Sequence, residues 1–243
     1  MHVYRQERRL RDQKRRDLSR ILVLNPVRSE SLNELSDEFF QAKASSGFEV
    51  KCESLAEGPA SVESPSDEVV AAAAVARRVT RVTDREFHGI VINCFLDPGV
   101  DAARDLTRIP VVGAGESAIR IALTVGQRFS IIDVGPMKYV SRSPTRQVRA
   151  MGVADRFASI RGIGVPVLEL NKRPDLTVKK IVREGKLAAI QDRADVIVLG
   201  CTGLAGLAER IKLNLPIVNP ALSALRTAEM LIVLGLRRRG VPT

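Results

Sequence analysis

Two stretches, Gly89-Ile90-Val91-Ile92-Asn93-Cys94 and Ala194-Asp195-Val196-Ile197-Val198-Leu199-Gly200-Cys201, read alike: a short apolar run that ends in a cysteine. A run of about four apolar, mostly β-branched residues is the pattern of a strand covered on both faces. The match continues past each cysteine. A Gly-containing turn and a helix-like stretch lead to Ile109-Pro110-Val111-Val112 in one case and Leu215-Pro216-Ile217-Val218 in the other. Pro110 stands 16 residues after Cys94, and Pro216 stands 15 after Cys201. Ser117 and Arg120 lie 7 and 10 residues past the first proline, as Ser223 and Arg226 do past the second. The chain therefore reads as two related halves, each presenting one thiol at a strand end.

Outward from these strands, apolar runs alternate with helical patterns. Residues 21–24 and 48–52 read as strands, 30–43 as a helix and 58–66 as a loop rich in Pro, Ser and Gly. A helix is expected over 67–82, capped by Ser66 or Asp67, then helices over 98–106 and 116–125. The second half repeats the order: strands at 129–132 and 165–170, helices at 144–157 and 176–192, and a final apolar helix over 222–236. Cys94 and Cys201 are 107 positions apart, and Ile21 and Phe129 are 108 apart. This alternation predicts an α/β fold of two pseudo-symmetric half-domains with mostly parallel sheets and right-handed crossovers. The first half is placed at 21–117, joined by the C-terminal 217–243, and the second at 118–216. Crossovers are expected near 115–130 and 213–220. In open parallel sheets ligands bind beyond the carboxyl ends of the strands, where both cysteines stand.

Composition bounds the function. Of 243 residues, 45% are hydrophobic and 27% charged, which suits a soluble globular chain. With no Trp and only 4% aromatics, few rings are present to stack bases, so nucleic acid is not the expected partner. Two His and three Cys without zinc-type spacing predict no metal and free thiols in a reducing compartment, hence the cytoplasm. No apolar run approaches the ~18 residues of a membrane span, and no apolar leader opens the chain. The net charge of +10 is uneven: residues 1–20 contribute +5, and Arg237-Arg238-Arg239 adds three more positive charges. Residues 1–20 read as a basic extension outside the repeat, either solvated, packed on a second copy in a homo-oligomer, or an arm for a polyanion.

Paired thiols at equivalent strand ends suit proton transfer at carbon. A thiol near a helix N-terminus meets free N–H groups that favour the thiolate. One thiolate removes a proton from a carbon beside a carbonyl, and a thiol on the opposite face returns one. Backbone N–H groups of Phe95, Leu96, Thr202 and Gly203 are candidates to hold the enolate oxygen. No cofactor is needed for this chemistry. Cys52, on a strand without a counterpart, reads as a small buried hydrophobe. Ser117 and Ser223 read as helix caps, Glu116 as structural and His88 as a surface residue.

The stretch Asn93-Cys94-Phe95-Leu96-Asp97-Pro98-Gly99-Val100-Asp101-Ala102-Ala103-Arg104 resembles the first signature of hydantoin racemases, in the aspartate/glutamate/hydantoin racemase superfamily. Leu199-Gly200-Cys201-Thr202-Gly203-Leu204 resembles the second, and residues 110–118 resemble the central stretch. The resemblance spans about residues 21–236. It implies two flavodoxin-like half-domains around a cleft, and cofactor-independent inversion of a small-molecule substrate by Cys94 and Cys201. The substrate it implies is a 5-substituted hydantoin or an amino-acid derivative. Related folds carry out decarboxylation or cis–trans isomerisation, and a non-catalytic binding protein on the same scaffold is the remaining alternative. Two positions depart from the pattern. Asn25-Pro26-Val27-Arg28-Ser29 stands where Asn-Pro-Asn and a hydroxyl residue are common, and Asp133-Val134-Gly135 stands where Thr or Ser is common. Asn25 and Asp133 are the expected substrate contacts there, with Asp133 either paired with Arg28 or accepting from a ring amide.

Overall fold

The computed structural model describes residues 18–135 and 142–237. It holds two four-stranded parallel sheets of identical order. In the first, β1 (Ser19–Asn25) lies between β2 (Phe48–Ser54) and β3 (Gly89–Ile92), with β4 (Val111–Gly113) beyond β3. In the second, β5 (Phe129–Asp133) lies between β6 (Phe157–Gly162) and β7 (Val196–Leu199), with β8 (Ile217–Val218) beyond β7. The central strands are the apolar runs. Ile21 to Leu24, Ile90 to Ile92 and Val196 to Leu199 are completely buried because helices cover both faces. Each such Leu or Ile contributes about 1.5–3 kcal/mol relative to an exposed side chain.

Among the described residues seven α-helices connect and cover the strands: α1 (Glu30–Lys43), α2 (Pro65–Val79), α3 (Val100–Leu106), α4 (Ala114–Val125), α5 (Arg142–Ala150), α6 (Pro174–Gln191) and α7 (Pro220–Val233). Two of them leave the sheet that precedes them. Helix α4 follows β4, yet Ala118, Ile119 and Ala122 pack with Phe129, Ile131, Val196 and Val198 of the second sheet. Helix α7 follows β8, yet Ala221, Ala224, Leu225 and Ala228 pack with Ile21, Val23, Val91 and Val112 of the first. Helices α4 and α7 also lie against each other. The repeat extends to detail here: Ser117 Oγ donates to the Gly113 carbonyl at 2.7 Å, and Ser223 Oγ to the Asn219 carbonyl at 2.8 Å.

Several local expectations are corrected. Helix α2 begins at Pro65 behind Ser64, whose hydroxyl accepts the Asp67 N–H, so neither Ser66 nor Asp67 is the cap. Residues 165–170 form no strand. Pro166 has no N–H to give a ladder, and a 3-10 turn, Val167–Glu169, follows it. The edge strand is instead Phe157–Gly162, so the helix expected to reach 157 stops at Ala150. Strand β6 hid its identity because its residues are only half-buried; Ser159 and Arg161 point to Asp192 at the end of α6. After Cys201 a 3-10 segment, Thr202–Arg210, replaces the expected α-helix. The first strand starts at Ser19, inside the stretch read as basic extension; residues 1–17 and 238–243 lie outside the described residues. Among the described residues no helix is long and apolar enough to cross a membrane.

Candidate active site

Strands β3 and β7 end at one cavity of about 530 Å³, and both cysteines line it. The first half supplies Pro26, Val27, Leu32 and Leu35 from the β1–α1 region and residues 60–65 from the loop before α2. The second half supplies Val134, Ser143, Pro144, Val167, Leu168 and Asn171. Most of this wall is apolar, with Glu63, Glu68 and Asp133 as acidic lining residues.

Each thiol lies beside backbone N–H groups of the residues just after it. The Leu96 N–H lies close to the Cys94 thiol and the Gly203 N–H close to that of Cys201, and both favour the thiolate. Gly203 leaves little room for a side chain: a Cβ there would stand 3.1 Å from the end of the Leu170 side chain and 3.4 Å from the Cys201 sulfur. Burial outweighs these donors. It raises the Cys94 thiol above its ordinary range, helped by the nearby Cys201, while burial and the charge of Asp133 push Cys201 up to about 12. The lowered thiol pKa values expected from helix N-termini are thus not found. Helix α3 begins six residues after Cys94, and no α-helix follows Cys201 directly. The N–H groups of Phe95 and Thr202 have no acceptor among the described residues.

The loop after Cys94 is held by Asp97, which takes a left-handed conformation with φ of 51°. Its carboxylate accepts the Gly115 and Glu116 N–H groups at 2.9 and 2.7 Å, capping α4, and Gln147 Nε2 at 2.5 Å. Burial and the neighbouring Glu116 push its pKa up to about 8, against those N–H donors. A Cβ on Gly115 would collide with the Phe95 carbonyl, so only glycine lets α4 approach this closely.

Of the residues expected to form the site, Cys94, Cys201, Phe95, Leu96, Asp133, Thr202 and Gly203 all line the cavity. Asn25 does not. It is fully buried behind the wall, where its Oδ1 accepts from Asn93 Nδ2 at 2.7 Å and from Ser36 Oγ at 3.3 Å. Its Nδ2 donates to Asn33 Oδ1 at 3.0 Å. Asp133 Oδ1 accepts the Val134 N–H at 2.6 Å, while Arg28 is exposed and does not line the cavity. Burial pushes Asp133 up to about 7.

Comparison with known proteins places the chain in a family. A family model described as Asp/Glu/Hydantoin racemase matches residues 21–228. The chain belongs to this family. It is 34% identical over 220 residues to a hydantoin racemase of Paenarthrobacter aurescens, covering 89% of this chain and 92% of the relative. The crystal structure of an allantoin racemase from Pseudomonas fluorescens superposes with a TM-score of 0.85 at 32% identity, covering 90% and 93% of the two chains. An arylmalonate decarboxylase variant shares the fold, with a TM-score of 0.64 at 14% identity, over 91% and 96% of the chains. The chain is an isomerase of the racemase type.

Within this family frame, sequence reasoning missed the ties across the cleft. Glu68 of α2 accepts from Ser143 Oγ and pairs with Arg146 at 2.5 Å, both on α5. Thr202 Oγ1 donates to the Asn93 carbonyl at 3.0 Å. Asn93 and Asp97 stood in the quoted first signature, but nothing in their local sequence reveals partners 50 or more positions away. Ser117 and Ser223 bond within their own helices and do not line the cavity, and Glu116 pairs with Arg104. His88 Nδ1 accepts the Arg20 N–H at 3.0 Å. Cys52 is part-buried on β2, away from the cavity lining.

Proposed function

We propose that the protein inverts a carbon next to a carbonyl by a two-thiol mechanism, acting on a 5-substituted hydantoin or a related ureide. The observation that carries this reading is that Cys94 and Cys201, one from each half, line a single cavity. Cys94 and Cys201 are the acid–base pair. One thiolate takes the proton from the substrate carbon, and the electron pair moves onto the carbonyl oxygen as an enolate. The opposite thiol then gives its proton to the other face as the enolate collapses. The substrate is inverted, and the two sulfurs have exchanged protonation states. The N–H groups of Phe95 and Thr202 are free to receive the enolate oxygen. Leu96 and Gly203 support the thiolates instead. Asp133 faces the ring amides as a hydrogen-bond acceptor.

The hydantoin and ureide class is favoured because the similar proteins are named for hydantoin and allantoin. The test is a deuterium-exchange and polarimetry panel of hydantoins, allantoin and free amino acids in deuterated buffer. Inversion of a ring substrate with isotope uptake is the expected result. Silence on every panel member would leave the chain a binding protein on this scaffold. Loss of CO₂ or alkene isomerisation instead of inversion would make it a decarboxylase or cis–trans isomerase.

A further inference from the structure

The two cysteine loops are joined by one side-chain bond. Thr202, immediately after Cys201, donates its hydroxyl to the main-chain carbonyl of Asn93, immediately before Cys94, at 3.0 Å. This acceptor is immobilised on its own side of the cleft. The Asn93 N–H donates to the Leu24 carbonyl at 2.9 Å, and its side chain donates to Asn25 at 2.7 Å. Asn25 is in turn fixed by Asn33, which also accepts from Ser54 Oγ at 2.8 Å. The donor is equally fixed. The Gly200 N–H donates to the Ile132 carbonyl at 2.8 Å, and the Leu204 N–H to the Cys201 carbonyl at 3.2 Å. A bond between two anchored loops, one residue away from each sulfur, acts as a spacer.

We infer that Thr202 is a positioning residue whose hydroxyl sets the separation of the two thiols across the cavity. The inference rests on the two-thiol reading above. Its physical basis is the steep dependence of proton transfer on geometry: a displacement near 1 Å from the reacting arrangement costs about 10²-fold. Inversion needs both sulfurs in register with one carbon. Same-face exchange of the substrate proton with solvent needs only one. A spacer is therefore felt by inversion far more than by exchange, whereas a hydroxyl that binds substrate serves both alike.

The test compares Thr202→Val, which keeps the shape and the main-chain N–H, with Thr202→Ser, which keeps the donor. Each is assayed with the panel substrate that the parent inverts. In Thr202→Val the inversion kcat is expected to fall roughly 10–100-fold, with same-face deuterium exchange reduced by a much smaller factor and KM little changed. Thr202→Ser restores the parental ratio of inversion to exchange. Equal losses in inversion and exchange, or a raised KM with kcat intact, would make the hydroxyl a substrate contact and overturn the inference. So would a Val variant with the parental ratio. If Val and a second variant, Thr202→Ala, fail to fold by circular dichroism while Ser folds, the bond is a folding element and the inference also falls. Failure of the two-thiol reading looks different: Cys94→Ser or Cys201→Ser would keep inverting substrate, whatever Thr202 does.

Discussion

A buried thiol is a poor base until something changes its surroundings. Burial holds both cysteines above their ordinary ionisation range, so on the two-thiol reading forming the thiolate carries a cost. Replacing either Cys94 or Cys201 by Ser is expected to lower inversion by at least the roughly 10²–10⁴-fold associated with one acid–base group. Each single variant should still exchange deuterium into one enantiomer, and the two variants should favour opposite enantiomers; polarimetry with mass spectrometry reads both. Cys52→Ser should be near neutral. Asp133 gives a second prediction. Its folded pKa of about 7 lies above the usual carboxylate value, so between about pH 4 and 7 the folded chain binds more protons than the unfolded one. This contribution to stability is present below about pH 4 and is lost as pH rises towards 7. Asp133→Asn should flatten that part of the profile, raising the urea midpoint at pH 8 relative to pH 5 when compared with the parent.

At the scale of elements, helix α7 is tied to the turn between α1 and β2 by one buried carboxylate. Glu229, 5% exposed, accepts the Ser45 N–H and Ser45 Oγ, each at 2.8 Å, and pairs with Arg226 at 2.6 Å. Glu229→Leu fills the volume but leaves the Ser45 N–H without its acceptor. A loss of about 1–3 kcal/mol is expected from urea unfolding, and an unchanged midpoint would contradict the tie. Elements of this kind mark the limit of what the chain shows in one dimension. The central strands and the cysteine positions were legible because complete burial demands continuous apolar runs such as Ile21 to Leu24 and Val196 to Leu199. Strand β6 was not, because an edge strand carrying Ser159 and Arg161 has no such demand and Val165 to Leu170 imitates one better. Seven of the eight proposed site residues reach the cavity because strand ends in a parallel sheet must converge there. Asn25 stands off the cavity, and a polar residue at a strand end looks the same in sequence whether it faces a ligand or, as here, holds up Asn93.

At the scale of the whole molecule, the halves are not independent bodies. Helix α4 leaves the first sheet to cover the second, and α7 leaves the second to cover the first. Each sheet is covered on one face by a helix that follows the last strand of the other sheet. Unfolding is therefore expected to be one cooperative transition in calorimetry, with calorimetric and van't Hoff enthalpies in agreement. Two resolved transitions would show that the exchanged helices couple the halves weakly.

The same exchange has a consequence at the ribosome. The inner face of the first sheet, with Ile21, Val23, Val91 and Val112, waits for α7, the last helix described in the chain. Chains emerge amino-terminus first, and domains ordinarily complete in that order. Ile21 and Val23 lie on the first described strand, so their cover, begun by Phe40 of α1, is completed only at the far end of the described chain. The second sheet, whose cover α4 precedes it, is free to close first. Assembly is then expected to run opposite to the order of synthesis, with the first half the stretch more in need of a chaperone.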